Sequence, residues 1–151
     1  MCEIRELPYE NIGDSIYWNI VKGGLNNVPL LIELLDNTKE TGFQIPYFGR
    51  DYSIADLAYF IITDIIYCVP TYDLLEKAGC KIDTGEGFAN YWYCLEENEL
   101  NRKKFKAVVQ KWFFNNKDNF IWLKTDMHNY TDFSEMEPFK NPAGGYYIIK
   151  K

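Results

Sequence analysis

The chain has 151 residues and a net charge of −6, which is the length of one domain and a balance that repels nucleic-acid phosphates. Hydrophobic residues make up 47% and charged residues 25%, so disorder over most of the length is excluded. No apolar run approaches the ~18 residues of a membrane span, and no basic segment leads into an apolar one as in a signal peptide. The outlier is an aromatic share of 17%, from 10 Phe, 4 Trp and 12 Tyr. Rings fill a core economically, and Tyr and Trp also suit recognition surfaces; the core reading is preferred because interface composition is a weak signal.

The first helix begins after Gly13, with Asp14 or Ser15 as its N-cap, and carries Ile16, Tyr17, Ile20 and Val21 inward until Gly23-Gly24 stops it. Asn26 or Asn27 caps the next, where Pro29 sits in the first turn at no hydrogen-bonding cost. Its inward stripe is Val28, Leu31, Ile32 and Leu35, widened by Leu30 and Leu34. Residues 37–52 read as a loop whose fragment 43–45 pairs briefly as a strand. Ser53 opens the strongest helix, with Asp56 as its capping-box partner. Ile54, Leu57, Ala58, Ile61, Ile62, Ile65 and Ile66 follow helical spacing, and Tyr59, Phe60 and Tyr67 make the helix apolar on most sides, which predicts a central position.

Pro70 ends that helix and a short turn runs from Thr71 through Leu75. Residues 79–87, with three glycines, read as loop. One helix passes through Tyr91, Trp92 and Leu95, and a long one runs from Glu99 to Asn116 with Phe105, Val108, Val109, Trp112 and Phe113 inward. Two short strands, 120–124 and 146–150, are expected to pair as a hairpin or small sheet. Cys68, Cys80 and Cys94 form no CxxC pair, and the one His leaves neither a zinc site nor a disulfide framework expected.

The segment from Asn27 to Asn37, NVPLLIELLDN, resembles the second helix of a HEAT repeat, and 53–66, SIADLAYFIITDII, is similar to the first helix of the repeat that follows. The resemblance covers about a third of the chain and implies packed helical hairpins at 14–37 and 53–76. It departs from the family in a 15-residue connection and in having fewer than three repeats. The order of helix, loop and helix also resembles that of short bacterial proteins. HEAT-like families act mostly as binding scaffolds, and the resemblance implies that role here by analogy.

The expectation is therefore one domain over 1–151, mainly α, built from HEAT-like helical hairpins with a minor β element near the C-terminus. The leading function is a protein-binding or scaffold module. Residues 1–75 hold 4 basic and 11 acidic side chains, against 12 and 11 in 76–151, so a basic partner is favoured, an inhibitor of a basic toxin being one concrete version. Tyr47, Phe48, Arg50, Asp51 and Tyr52 gather rings, a cation and an acid in one long loop and are the candidate binding residues. Tyr47 and Phe48 are read as a plug over the core, and Arg50 and Asp51 as exposed.

The alternative is an enzyme of unassigned type. It would use Asp64, an acid on the most apolar helix, or the loop holding Asp126, His128 and Asp132, which could gather round a divalent metal or a general base. Polar turn chemistry is the preferred explanation of that loop, and Asp64 reads more simply as a solvated or paired carboxylate. The stretch from Arg102 to Lys106, with Lys111 and Lys117, reads as a solvated helix face rather than a nucleic-acid site. No metal, cofactor, nucleic acid or membrane span is expected, and the oligomeric state stays open. The location expected is cytoplasmic, or export as a lipoprotein if Cys2 is lipidated.

Overall fold

The structure, a computed structural model, describes residues 4, 14–96, 98–125 and 141–150. These form six α-helices and two small antiparallel sheets, a mainly α fold with a minor β element. Helix α1 (Ser15–Lys22) starts where the Asp14 carboxylate accepts the Tyr17 backbone N–H at 2.8 Å. Asn27 does not cap α2 (Val28–Glu33) through its side chain; its amide donates to the Ile20 carbonyl at 2.8 Å and stitches the turn between the helices. That turn needs Gly24, whose φ is +59° and whose Cβ would stand 3.1 Å from the Tyr147 ring. Val28, Leu31, Ile32 and Leu35 are buried as expected, but Leu30 is 68% exposed. Six residues of helix present a single face, so the stripe is narrower than the leucine count suggested.

The connection to the next helix is more ordered than a loop. Strand β1 (Glu40–Gln44) pairs antiparallel with β2 (Asp51–Ser53) through a register shift. Helix α3 (Ile54–Ile65) then begins on a complete capping box: Ser53 Oγ receives the Asp56 N–H, and Asp56 receives the Ser53 N–H at 2.8 Å. Nine of its residues are buried. Both α1 and α2 pack on it, and the rings of α5 (Ala89–Glu96) meet it through Tyr59–Tyr91, stacked at 5.3 Å, and Phe60–Trp92 at 5.8 Å. The rings thus fill the core, in a continuous cluster with the aliphatic residues of α1, α2 and α3.

Pro70 precedes α4 (Thr71–Lys77), and α6 (Glu99–Asn116) runs over the bounds its spacing predicted, capped by Asn98. Strands β3 (Phe120–Lys124) and β4 (Gly145–Ile149) pair antiparallel in regular register. The Tyr67 N–H donates to the Tyr147 carbonyl at 2.8 Å, which fastens the end of α3 to β4.

One expectation is corrected. Cys80 and Cys94 form a disulfide, with their Cα atoms 5.7 Å apart. Spacing could not reveal the pair, because the loop before α5 folds back on the helix: the Asn90 side chain holds the Asp83 N–H and both the Asp83 and Gly87 carbonyls at 2.7–2.8 Å. The bond spans 14 residues, and closing a loop of that size removes unfolded-state entropy equivalent to about 3 kcal/mol. A Cys80→Ser/Cys94→Ser variant should lose about that much stability in urea unfolding, with an m-value unchanged or raised because its unfolded chain is less constrained. An unchanged midpoint would contradict the assignment.

Candidate binding surface

Four charged side chains, alternating in sign, run from the core to the surface. Asp56 is wholly buried. Its Oδ2 receives both the N–H and the hydroxyl of Ser53, at 2.8 and 2.7 Å, while its Oδ1 receives Arg102 Nη1 and the Tyr91 hydroxyl, each at 3.1 Å. Four donors on one carboxylate offset its desolvation, which an unpaired buried charge could not survive. Arg102 is buried too and extends Nη2 to Glu96 at 2.7 Å. Burial pulls the arginine's pKa down, Asp56, Tyr91 and Glu96 push it up, and the balance lies above its ordinary value. Burial, then the Asp56 charge, raises the Tyr91 hydroxyl well above the usual tyrosine range, so it stays protonated and donates. Glu96 completes the chain with Arg50 Nη1 at 2.7 Å.

Arg50 belongs to the β1–β2 hairpin, so this chain of charges anchors the hairpin to α3, α5 and α6. Phe48 adds a second tether, its ring 6.1 Å from Trp92 and 5.9 Å from Tyr93. Tyr52 packs in the core against Phe60 and Trp92, both at 5.6 Å. Thr41 Oγ1 donates to the Tyr52 carbonyl at 2.7 Å across the strands. At the tip, the Phe48 N–H reaches the Ile45 carbonyl at 3.2 Å around Pro46 and Tyr47, and Tyr47 has φ +69°. Proline followed by a positive φ is the pattern of a type II turn, in which the second position normally belongs to Gly or Asn. A tyrosine there is strained, and its ring is fully exposed.

Of the five expected binding residues, the structure therefore separates three roles. Phe48 and Tyr52 are the plug. Tyr47 is not; the left-handed turn aims it away from the body. Arg50 is not free either: its side chain is 37% exposed and committed to Glu96. Asp51, half-buried in β2, and exposed Glu40 in β1 carry no ion pair among the described residues. The acidic excess of the first half is partly cancelled by the second, since Lys106 reaches Glu33 at the end of α2 and Asp36 just beyond it, both at 3.1 Å. The basic stretch of α6 is accordingly mixed: Lys103, Lys104 and Lys111 face water, Lys106 is paired and Arg102 is turned inward.

Asp64 lies at the α1–α3 contact, where the Tyr17 hydroxyl donates to its Oδ2 at 2.6 Å. Burial pushes its pKa up to about 6, against the lowering effect of that hydrogen bond. The Asp126, His128 and Asp132 trio lies outside the described residues, as does Cys2. Among the described residues, no three His, Cys, Asp or Glu side chains gather in the manner of a metal site, and no helix is long and apolar enough to cross a membrane.

The fold and this surface define a mainly α-helical protein that displays a strained aromatic hairpin on a rigid aromatic core. Neither a family model, nor a curated protein, nor a solved structure matches the chain.

Asp64 generates a pH prediction. A carboxyl whose folded pKa is raised favours the native state when protonated, so its stability contribution is complete below pH 3.8 and lost as pH rises through about 6. Asp64→Asn, which keeps an oxygen for Tyr17, should stabilise the protein at pH 7 by up to about 2 kcal/mol, with the gain vanishing near pH 4. Urea unfolding of both proteins from pH 4 to 8 checks it; a gain independent of pH would contradict it.

Proposed function

We propose that this protein is a protein-binding module whose contact element is the β1–β2 hairpin, with Tyr47 as the anchor that enters its partner. The observation that carries this reading is the fully exposed tyrosine held at φ +69° on a turn that is itself tied down by Phe48 and Arg50. Backbone strain on a residue that buries nothing has no stabilising role within the monomer, and such strain collects at functional sites. A rigid ring presented on a braced turn also loses little entropy on binding, which is why tyrosine is a frequent interface anchor.

The partner's surface is read as basic, because Asp51 beside the tip and Glu40 at the base of the hairpin carry no ion pair among the described residues, while Arg50 is neutralised by Glu96. An inhibitor of a basic protein fits this description, and the HEAT-like stacking of helix pairs would supply its scaffold. The Cys80–Cys94 disulfide favours an oxidising compartment and thus export over a cytoplasmic location.

Two substitutions separate function from folding. Tyr47→Gly relieves the strained turn and should leave stability unchanged or raised, yet weaken capture of the partner from source-cell lysate at least about tenfold. Leu30→Ala removes an exposed apolar side chain from another element and should change neither. A partner held equally by wild type and Tyr47→Gly would overturn the reading.

A further inference from the structure

Beside the start of α4, Val69, Pro70, Thr71, Tyr72, Asp73 and Phe88 line an open cleft of about 200 Å³. That volume is below the roughly 300–1,000 Å³ of sites for drug-sized ligands, so it suits a single side-chain-sized group.

The walls specify the chemistry of that group. Phe88 lies one face on Tyr91, with centroids 5.1 Å apart and planes at 16°, and meets Trp92 edge-on at 5.7 Å. A third ring, Phe60, lies 6.0 Å away, and Phe88 remains 39% exposed, so an aromatic side chain held by its neighbours lines the cleft. Tyr72 supplies a second ring, 44% exposed. Asp73 contributes a carboxylate to the same cleft, and it makes no ion pair among the described residues. The N-terminal end of α4 bears about half a positive charge, which the full negative charge of Asp73 exceeds, so the local field favours a cation. Thr71 is already occupied: its Oγ1 bonds the Tyr59 hydroxyl at 2.8 Å, which leaves the rings and Asp73 as the recognition groups. Two aromatic side chains and a carboxylate lining one small cavity form the constellation that attracts an organic cation.

We propose that this cleft is a binding site for an alkylammonium group, borne by a lysine side chain or by a free amine. The site does not depend on the hairpin, whose role can fail while this one stands.

The test is titration of the isotope-labelled full chain, followed by NMR, with tetramethylammonium chloride and with Nα-acetyl-lysine amide, each against sodium acetate. The expected result is saturable shifts at the Tyr72 and Phe88 rings with the cations and none with acetate. Asp73→Asn should weaken the response about fivefold or more, and Phe88→Leu by a similar factor. Asp73 is on the surface of its helix, so its variant reports binding even if Phe88→Leu disturbs the ring cluster. Tighter binding of the lysine derivative assigns the cation to a polypeptide partner, and tighter binding of tetramethylammonium assigns it to a free quaternary amine. No saturable shift with either cation, a response to acetate, or cation shifts unchanged in Asp73→Asn would overturn the proposal.

Discussion

The carboxylate of Asp56 is the constraint around which the other elements are arranged. A wholly buried charge is tolerated only when its oxygens are filled, and filling them draws in Ser53 from the end of β2, Tyr91 from α5 and Arg102 from α6. Besides the local cap, two helices 35 and 46 residues further along the chain must therefore meet at the start of α3. The rings that come with them fit there: Tyr59 stacks on Tyr91 and meets Phe105 edge-on at 5.1 Å, so the polar centre and the aromatic core are two sides of one contact. Arg102 has donors left over, and through Glu96 these reach Arg50 and set the position of the hairpin. A single desolvation requirement thus extends from the core to the surface.

That connection explains how a strained residue can be held at the hairpin tip. The left-handed conformation of Tyr47 costs on the order of 1 kcal/mol or more relative to glycine. The ring contacts of Phe48 and the ion pair of Arg50 brace the turn just after the strained residue, and Ile45, buried before it, holds the other side. A free hairpin would relax; a braced one keeps the ring pointing outward. Stability drawn from the core is in this way transmitted to a surface feature that contributes none of its own.

Much of the fold was legible. Helical spacing placed α6 at its observed ends, and the Ser53–Asp56 capping box marked the start of α3. What periodicity could not show was pairing across the chain. Asp64 drew notice because it interrupts an apolar helix, whereas Asp56 passed as a capping residue, yet Asp56 is the fully buried one. A signal did exist: Arg102 shares the inward face with Phe105, Val109 and Phe113 at positions +3, +7 and +11, and an arginine there must have a buried acid to meet. Composition identified the 43–52 segment as unusual, but only backbone geometry separates Tyr47, turned outward at positive φ, from Phe48, turned inward. The Cys80–Cys94 bond was invisible for a related reason, since it depends on how the Asn90 side chain folds the preceding loop.

The most direct measurement is a double-mutant cycle in urea unfolding with Asp56→Asn, Arg102→Met and the double variant. If the buried pair organises the fold, Arg102→Met alone should cost about 3–5 kcal/mol, because it strands a carboxylate in the core. The double variant should then be more stable than the sum of the single losses predicts, by about 1–3 kcal/mol. Small, additive losses would contradict the account and reduce the pair to an incidental contact between α3 and α6.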